Sequence, residues 1–214
     1  MPCQHVVWDW NGTLLDDAWL CLDIVNGQLR RRGLATASLA HYQSVFGFPV
    51  QNYYRRLGFE FTDESFENIA HEFMAEYKQR RCECNLHDHA LDVLKQIATS
   101  GVGQSILSMY KQDELSTITE YFGVKKFMTH TVGLEHHFAT SKLEIGQRLI
   151  TTIGYSTSQI ILFGDTDHDY DVATALGIRC ILVAGGHQST ERLLSFAPSY
   201  LPDLSYVPKT LNLP

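Results

Sequence analysis

Short runs of β-branched and aromatic residues recur along the chain, separated by stretches whose apolar residues fall at helical spacing. The first run, His5-Val6-Val7-Trp8-Asp9-Trp10, is broken by Asn11-Gly12 and reads as a buried strand ending in a tight turn. Four later runs share this character: Val102 to Met109, Phe127 to Val132, Gln159 to Phe163 and Arg179 to Ala184. Helical patterns lie among them at Ala90 to Thr99, Asp113 to Tyr121, Lys142 to Ile153 and Asp171 to Leu176. Alternating strands and helices predict an α/β chain, a doubly wound parallel sheet of Rossmann-like type with helices on both faces. In such sheets, ligands bind outside the carboxyl ends of the strands.

The alternation stops between Asp17 and Cys84. Apolar residues at Trp19, Leu22, Val25 and Leu29, and again at Phe66, Ile69, Phe73 and Tyr77, predict helices with Asp17 as N-cap of the first. The chain is therefore expected to divide into a core, residues 1–16 and 85–214, and an inserted helical cap, residues 17–84, of a size suited to a lid. From Ala197 onward, Pro198, Pro202, Pro208 and Pro214 argue against a long helix and for a surface path.

Composition narrows the partners. The 214 residues carry 17 Lys and Arg against 24 Asp and Glu, a formal charge of −7, which disfavours nucleic acid. The basic run Arg30-Arg31-Arg32 stops at Gly33 and reads as the solvated last turn of a helix closed by glycine. No stretch approaches the roughly 18 apolar residues of a membrane span, and the first residues lack the parts of a signal peptide. Cys3, Cys21, Cys82, Cys84 and Cys180 are odd in number and irregularly spaced, which fits reduced thiols and a cytoplasmic protein. A small molecule is the expected partner. Oligomeric state is not encoded in any of these patterns.

Four polar features fall at predicted strand ends or at a helix start. They are Asp9 to Asp17; Ser108 after Ile106-Leu107; Lys142 opening a helix; and Gly164-Asp165-Thr166-Asp167-His168-Asp169 after Ile160 to Phe163. Parallel topology brings Asp9, Ser108 and Asp165 to one edge. Carboxylates from two strands make a hard oxygen site suited to Mg²⁺ and a phosphate. Lys142 adds positive charge and Ser108 a hydroxyl, both useful where charge spreads over phosphoryl oxygens.

In this order the features resemble the haloacid dehalogenase superfamily over nearly the whole chain. Trp8-Asp9-Trp10-Asn11-Gly12-Thr13-Leu14 is similar to its first motif, Leu107-Ser108 to its second, Lys142 to its third, and Gly164 to Asp169 with Ala173 and Gly177 to its fourth. The insert lies where the subgroup similar to phosphoglycolate phosphatase and β-phosphoglucomutase carries its cap, and Phe46-Gly47-Phe48-Pro49 resembles that cap's substrate-side turn. The resemblance implies a Mg²⁺-dependent phosphatase of a small phosphorylated metabolite. Asp9 would be the nucleophile, and Asp9, the Asn11 backbone carbonyl and Asp165 the metal ligands, with Asp169 supporting them. Ser108 and Lys142 would hold the phosphoryl group, with Thr13 and Gly47 also on the substrate side.

One departure stands out. Phosphatases of this type carry a second aspartate two residues after the nucleophile, as acid and base, and this chain has Asn11. An amide cannot shuttle a proton, a contribution typically worth about 10² to 10⁴ in rate. That disfavours a mutase and keeps open an alternative, an impaired regulatory pseudo-phosphatase that binds phosphate and metal. Phosphonoacetaldehyde hydrolase needs a cap lysine, but Lys78 is far from Gly47. Haloacid dehalogenases do not need the acid pair Asp165 and Asp169. Among the remaining features, Cys82, Cys84, His87 and His89 match no standard zinc spacing. Trp10 is either pocket wall or core packing, and His136, His137 and His187 either face the cleft or lie in loops.

Overall fold

The run that opens the chain forms strand β1 (His5–Trp8), buried along its whole length. Val6 and Trp8 enter the apolar cluster on one side of the sheet and Val7 the cluster on the other, as the two-residue period of a strand requires. The computed structural model describes residues 2–135, 141–197 and 200–213. After β1 come a short strand β2 (Leu15–Asp16), helices α1 (Ala18–Arg31), α2 (Leu39–Val45), α3 (Val50–Arg56) and α4 (Phe66–Arg80), and a short strand β3 (Asn85–Leu86). The remaining elements are α5 (Ala90–Thr99), β4 (Gly103–Lys111), α6 (Gln112–Tyr121), β5 (His130–Leu134), α7 (Lys142–Ile153), β6 (Ile160–Gly164), α8 (Asp167–Leu176), β7 (Arg179–Val183), α9 (Thr190–Phe196), β8 (Tyr200–Leu201) and α10 (Val207–Thr210).

Six strands form a sheet in the order β5-β4-β1-β6-β7-β8 with parallel pairing throughout. The order reverses at β1, between β4 and β6, which makes the carboxyl end of β1 the switch point where such sheets bind ligands. Leu94 and Ile97 of α5, Leu115 and Ile118 of α6, and Val207 of α10 cover the face holding Val6 and Trp8. Ile145 and Leu149 of α7 and Val172 and Ala173 of α8 cover the other. The expected doubly wound α/β sheet is the observed fold.

Helices α1 to α4 build their own apolar cluster around Val25, Leu29, Tyr42, Tyr53, Tyr54 and Ile69. Their entry and exit are clasped by β2 and β3, which pair antiparallel, Leu15 with Leu86 and Asp16 with Asn85. Gly33 follows α1 at φ +68°, the left-handed conformation of a terminating glycine.

The structure departs from the expectations at several points. The C-terminal stretch does not run over the surface: β8 extends the sheet beside β7, and Leu204, Val207 and Leu211 are buried. Pro202 directly follows β8, and Pro208 sits in the first turn of α10, where a missing N–H costs nothing. Helix α8 begins four residues before the predicted Asp171, because Thr166 and Asp169 form a capping box. Strand β5 starts at His130, since Lys125–Phe127 makes a 3₁₀ turn. Arg32 is paired with Glu64 and Glu72 rather than simply solvated. Asp17 occupies the N-cap position of α1 without capping it, for its carboxylate is engaged elsewhere.

Candidate active site

Asp9 follows β1 directly, its backbone N–H held by the Phe163 carbonyl of β6 at 2.9 Å. Lys142, the first residue of α7, is buried, and its ammonium donates to Asp9 Oδ1 and, at 2.5 Å, to Asp169 Oδ1. The other oxygen of Asp169 accepts from the Thr166 hydroxyl at 2.7 Å and the Thr166 N–H at 3.1 Å, so the box that starts α8 also fixes this carboxylate. Asp165 accepts from the Thr13 hydroxyl at 3.0 Å and from the His187 backbone N–H at 2.7 Å. Carboxylate oxygens of Asp9, Asp165 and Asp169 lie within 4.8 Å of one another. Ser108 is buried inside β4 rather than at its end; β4 continues beyond its pairing with β1, and its register with β5 shifts after Leu107.

The carboxylates sense their crowding. Burial pushes Asp9 up to about 8, with Asp169 and Asp165 adding to the rise and Lys142 opposing it. Burial also lifts Asp165 to about 6, despite the positive His187. Asp169 is buried too, yet Lys142 and the Thr166 hydroxyl hold it below the ordinary carboxylate value. Burial opposes the charge on Lys142, but Asp169 and Asp9 outweigh it and hold the ammonium above the ordinary lysine value.

A second polar centre adjoins the first. The fully buried Asp17 carboxylate accepts from Gly12 N–H at 2.9 Å, Asn11 Nδ2 at 2.7 Å and the Tyr77 hydroxyl at 2.7 Å, and its Oδ1 lies 3.2 Å from His187 Nε2. The other ring nitrogen of His187 meets the Tyr42 hydroxyl at 2.7 Å. Burial opposes charge on both partners, but each is stabilised by the other: Asp17 stays below its ordinary value, and His187 is raised to about 9. Cys21 also reaches Asp17, at 3.7 Å. Asp17, Cys21 and His187 are close enough to grip an ion, yet the carboxylate is already engaged by N–H and O–H donors, and a protonated imidazole has no lone pair to offer.

Across this edge α2 is stitched to the loop after β7. Gln43 Nε2 donates to the Gly186 carbonyl at 2.8 Å, Gln188 Nε2 to the Phe46 carbonyl at 3.3 Å, and Arg192 of α9, which pairs with Asp167 at 2.6 Å, donates to the Ser44 carbonyl at 3.4 Å. Gly47 lies against that guanidinium: a Cβ there would stand 2.6 Å from Arg192 NH2. The Phe48 ring rests 4.6 Å from the His168 ring.

Comparison with known proteins decides the family. The family model described as haloacid dehalogenase-like hydrolase matches residues 6–183. The chain belongs to the haloacid dehalogenase-like hydrolases. A curated relative, tyrosine-protein kinase PtkA of Mycobacterium tuberculosis, is 24% identical over 186 residues, which are 86% of this chain and 63% of that protein. This chain thus spans less than two thirds of that relative's length. Solved structures share this fold. That of PtkA from M. tuberculosis matches with a TM-score of 0.82 at 20% identity over 99% of both chains. A putative phosphatase from Clostridium difficile gives 0.81 at 18% over 99% of both, and a predicted phosphoglycolate phosphatase from Haemophilus somnus gives 0.78 at 18% over 97% of both.

Family membership raises the question of Mg²⁺, and the residues fit it. Four buried carboxylates, Asp9, Asp17, Asp165 and Asp169, face two buried cations, Lys142 and His187, which leaves two negative charges when all are ionised. Hard oxygens with an excess of two charges suit a divalent ion. Gly12 and Gly186 keep the approach to Asp165 clear: a Cβ on Gly186 would stand 2.2 Å from Asp165 Oδ2 and 2.5 Å from the Gly12 carbonyl.

The residues singled out by sequence thus divide. Asp9, Thr13, Lys142, Asp165 and Asp169 form one bonded cluster. The Asn11 side chain is turned to Asp17 and Tyr77, and Gly47 lies against the Arg192 guanidinium, outside that cluster. Trp10 is fully buried in the core, 6.1 Å from the Phe122 ring. His187 faces the site, whereas His136 and His137 lie outside the described residues. Among the described residues, Cys82, Cys84, His87 and His89 join no group of close metal-binding atoms. Sequence reading missed Asp17, Tyr42 and Tyr77. The signal available was a second acid beside Asp16, and it was absorbed by the N-cap interpretation.

Proposed function

We propose that this protein is a Mg²⁺-dependent phosphatase of a small phosphorylated metabolite in the cytoplasm, acting through an aspartyl-phosphate on Asp9. The observation that carries the reading is the Asp9 carboxylate at the switch point of the sheet, bonded to a buried lysine and grouped with Asp165 and Asp169. Asp9, the Asn11 carbonyl and Asp165, supported by Asp169, would hold the ion, which would lower the charge of the carboxylates and of the phosphoryl group. Lys142 and the Ser108 hydroxyl would bind phosphoryl oxygens.

In the first half-reaction an Asp9 oxygen bonds to phosphorus as the bond to the leaving oxygen breaks, and that oxygen departs with the electron pair. In the second, a water oxygen bonds to phosphorus and its proton passes to bulk solvent, while the bond from phosphorus to the Asp9 oxygen breaks with its electron pair, so that the carboxylate is regenerated and phosphate leaves. Asn11 donates no proton to the leaving oxygen and takes none from water, so esters with good leaving groups should react faster. The cap side would exclude water during transfer. A second reading, a regulatory protein that binds phosphate and metal with little turnover, is favoured by Asn11 itself.

A phosphate-release screen with and without Mg²⁺ separates them. The phosphatase reading expects Mg²⁺-dependent release from at least one small ester and a burst on an aryl phosphate; absence of both leaves the regulatory reading. Because the mycobacterial relative is named a tyrosine kinase, the screen includes ATP with a tyrosine peptide.

A further inference from the structure

Asp17 is a fully buried carboxylate with more bonded partners than helix initiation requires, and none of them is a cap N–H of its own helix. Its donors come from separate parts of the chain: Gly12 and Asn11 in the loop after β1, Tyr77 in α4, and His187 in the loop after β7. Tyr77 also receives the Asn11 amide at 2.8 Å, so Asn11, Tyr77 and Asp17 close a three-membered ring of hydrogen bonds.

Two geometrical consequences follow. The Gly12 N–H and the Asn11 carbonyl share one planar trans peptide and point in opposite directions. By accepting the Gly12 N–H, jointly with the Leu15 carbonyl at 2.9 Å, Asp17 sets the direction of the Asn11 carbonyl. His187 is the other arm. Its ring is anchored on Asp17, while its own backbone N–H grips Asp165 Oδ2 at 2.7 Å. One carboxylate therefore governs the orientation of two groups on the metal side of the site.

Resting on the phosphatase reading above, we propose that Asp17 is a positioning residue for the metal site, orienting the Asn11 carbonyl through Gly12 and Asp165 through His187, and tying both to the cap through Tyr77 and Tyr42. Outer partners of metal ligands typically alter affinity by about 10- to 100-fold when removed. Seating of Tyr42 on His187 makes the same network responsive to the position of α2, so a cap that lifts loosens Asp165.

The test is Mg²⁺ titration calorimetry on the full chain, with no substrate present. Asp17→Asn keeps the side-chain shape and removes the charge; it should weaken Mg²⁺ binding at least 10-fold. Tyr42→Phe, which removes one hydroxyl remote from the ion, should weaken it a few-fold. Leu204→Ala, in the core beneath α5, serves as the control for lost stability and should leave Mg²⁺ affinity as it was. Folded Asp17→Asn with the affinity of the unmodified protein overturns the proposal. Should Asp17→Asn fail to fold, Tyr42→Phe decides: a loss of affinity supports the proposal, and unchanged affinity overturns it. Absence of Mg²⁺ binding by the unmodified protein overturns the phosphatase reading, and this inference with it.

Discussion

At position 11 the side chain is occupied: its amide donates to Asp17 at 2.7 Å and to Tyr77 at 2.8 Å. An aspartate placed there would set a second carboxylate beside the first, and like charges at this range do not both ionise. Asn11→Asp alone should therefore lower the melting temperature, whereas Asn11→Asp with Asp17→Asn restores an amide facing a carboxylate. The double-mutant cycle should show a favourable coupling of about 1–3 kcal/mol in urea unfolding, and additive effects would contradict the contact. Asp9→Asn is expected to abolish phosphate release. It removes a carboxyl that burial already pushes up to about 8, so its melting temperature in chelator should be no lower than that of the unmodified protein. Asp9, Lys142 and Asp165 were legible in the sequence because each sits where a strand ends or a helix begins. Asp17 was not, because its partner Tyr77 is 60 residues away and nothing local distinguishes a hub from a cap.

Elements were legible in proportion to their length and period. Helices α5 and α7 have the predicted bounds, each with a continuous apolar stripe toward the sheet. Helices α2 and α3 span seven residues each, too few for a period to declare itself, and the two-residue strands β2, β3 and β8 have none at all. The proline-marked C-terminus shows what burial adds. Leu204 is almost fully enclosed, and Leu204→Ala should cost about 2–5 kcal/mol by denaturant unfolding, as truncation of a core leucine does; a cost under about 0.5 kcal/mol is what a surface position gives. In the loop after β7, Gly186→Ala would drive a methyl group against the Gly12 carbonyl and the Asp165 carboxylate. Backbone cannot step aside as a side-chain tip can, so that variant should lose about 1–3 kcal/mol of stability.

Over the whole molecule, the buried charges set a dependence on pH. Asp9, at about 8, and Asp165, at about 6, keep protons in the folded state that an unfolded carboxyl releases near 3.8. His187, at about 9, keeps one that an unfolded histidine releases near 6.5. Where the folded state binds more protons, stability falls as pH rises. The melting temperature in chelator should therefore decline from about pH 4 to pH 9, the Asp165 contribution being lost up to about 6, that of Asp9 up to about 8, and that of His187, complete below 6.5, through 9. Asp17 and Asp169, held below their ordinary value, act only in acid: their contribution is present above about 4 and lost below it. Saturating Mg²⁺ should raise the melting temperature and flatten the decline, since an ion favours the ionised carboxylates. A melting temperature that climbs between pH 6 and 9 in chelator would contradict this charge arrangement.

The antiparallel clasp of β2 and β3 makes the chain modular. Both connections to helices α1 to α4 pass through one point, where Asp16 lies opposite Asn85, the geometry that a two-residue turn closes in an ordinary hairpin. Everything between those two residues is thus, in topological terms, an oversized hairpin loop. Such a loop can be exchanged for another of any length without re-threading a strand of the main sheet. An insert transplanted from a relative would bring its own recognition surface, but it would also have to replace the hydroxyls of Tyr42 and Tyr77. Grafts that keep tyrosines at those two places should retain the site's hydrogen-bonded frame, and grafts that omit them should fold with the frame unfastened.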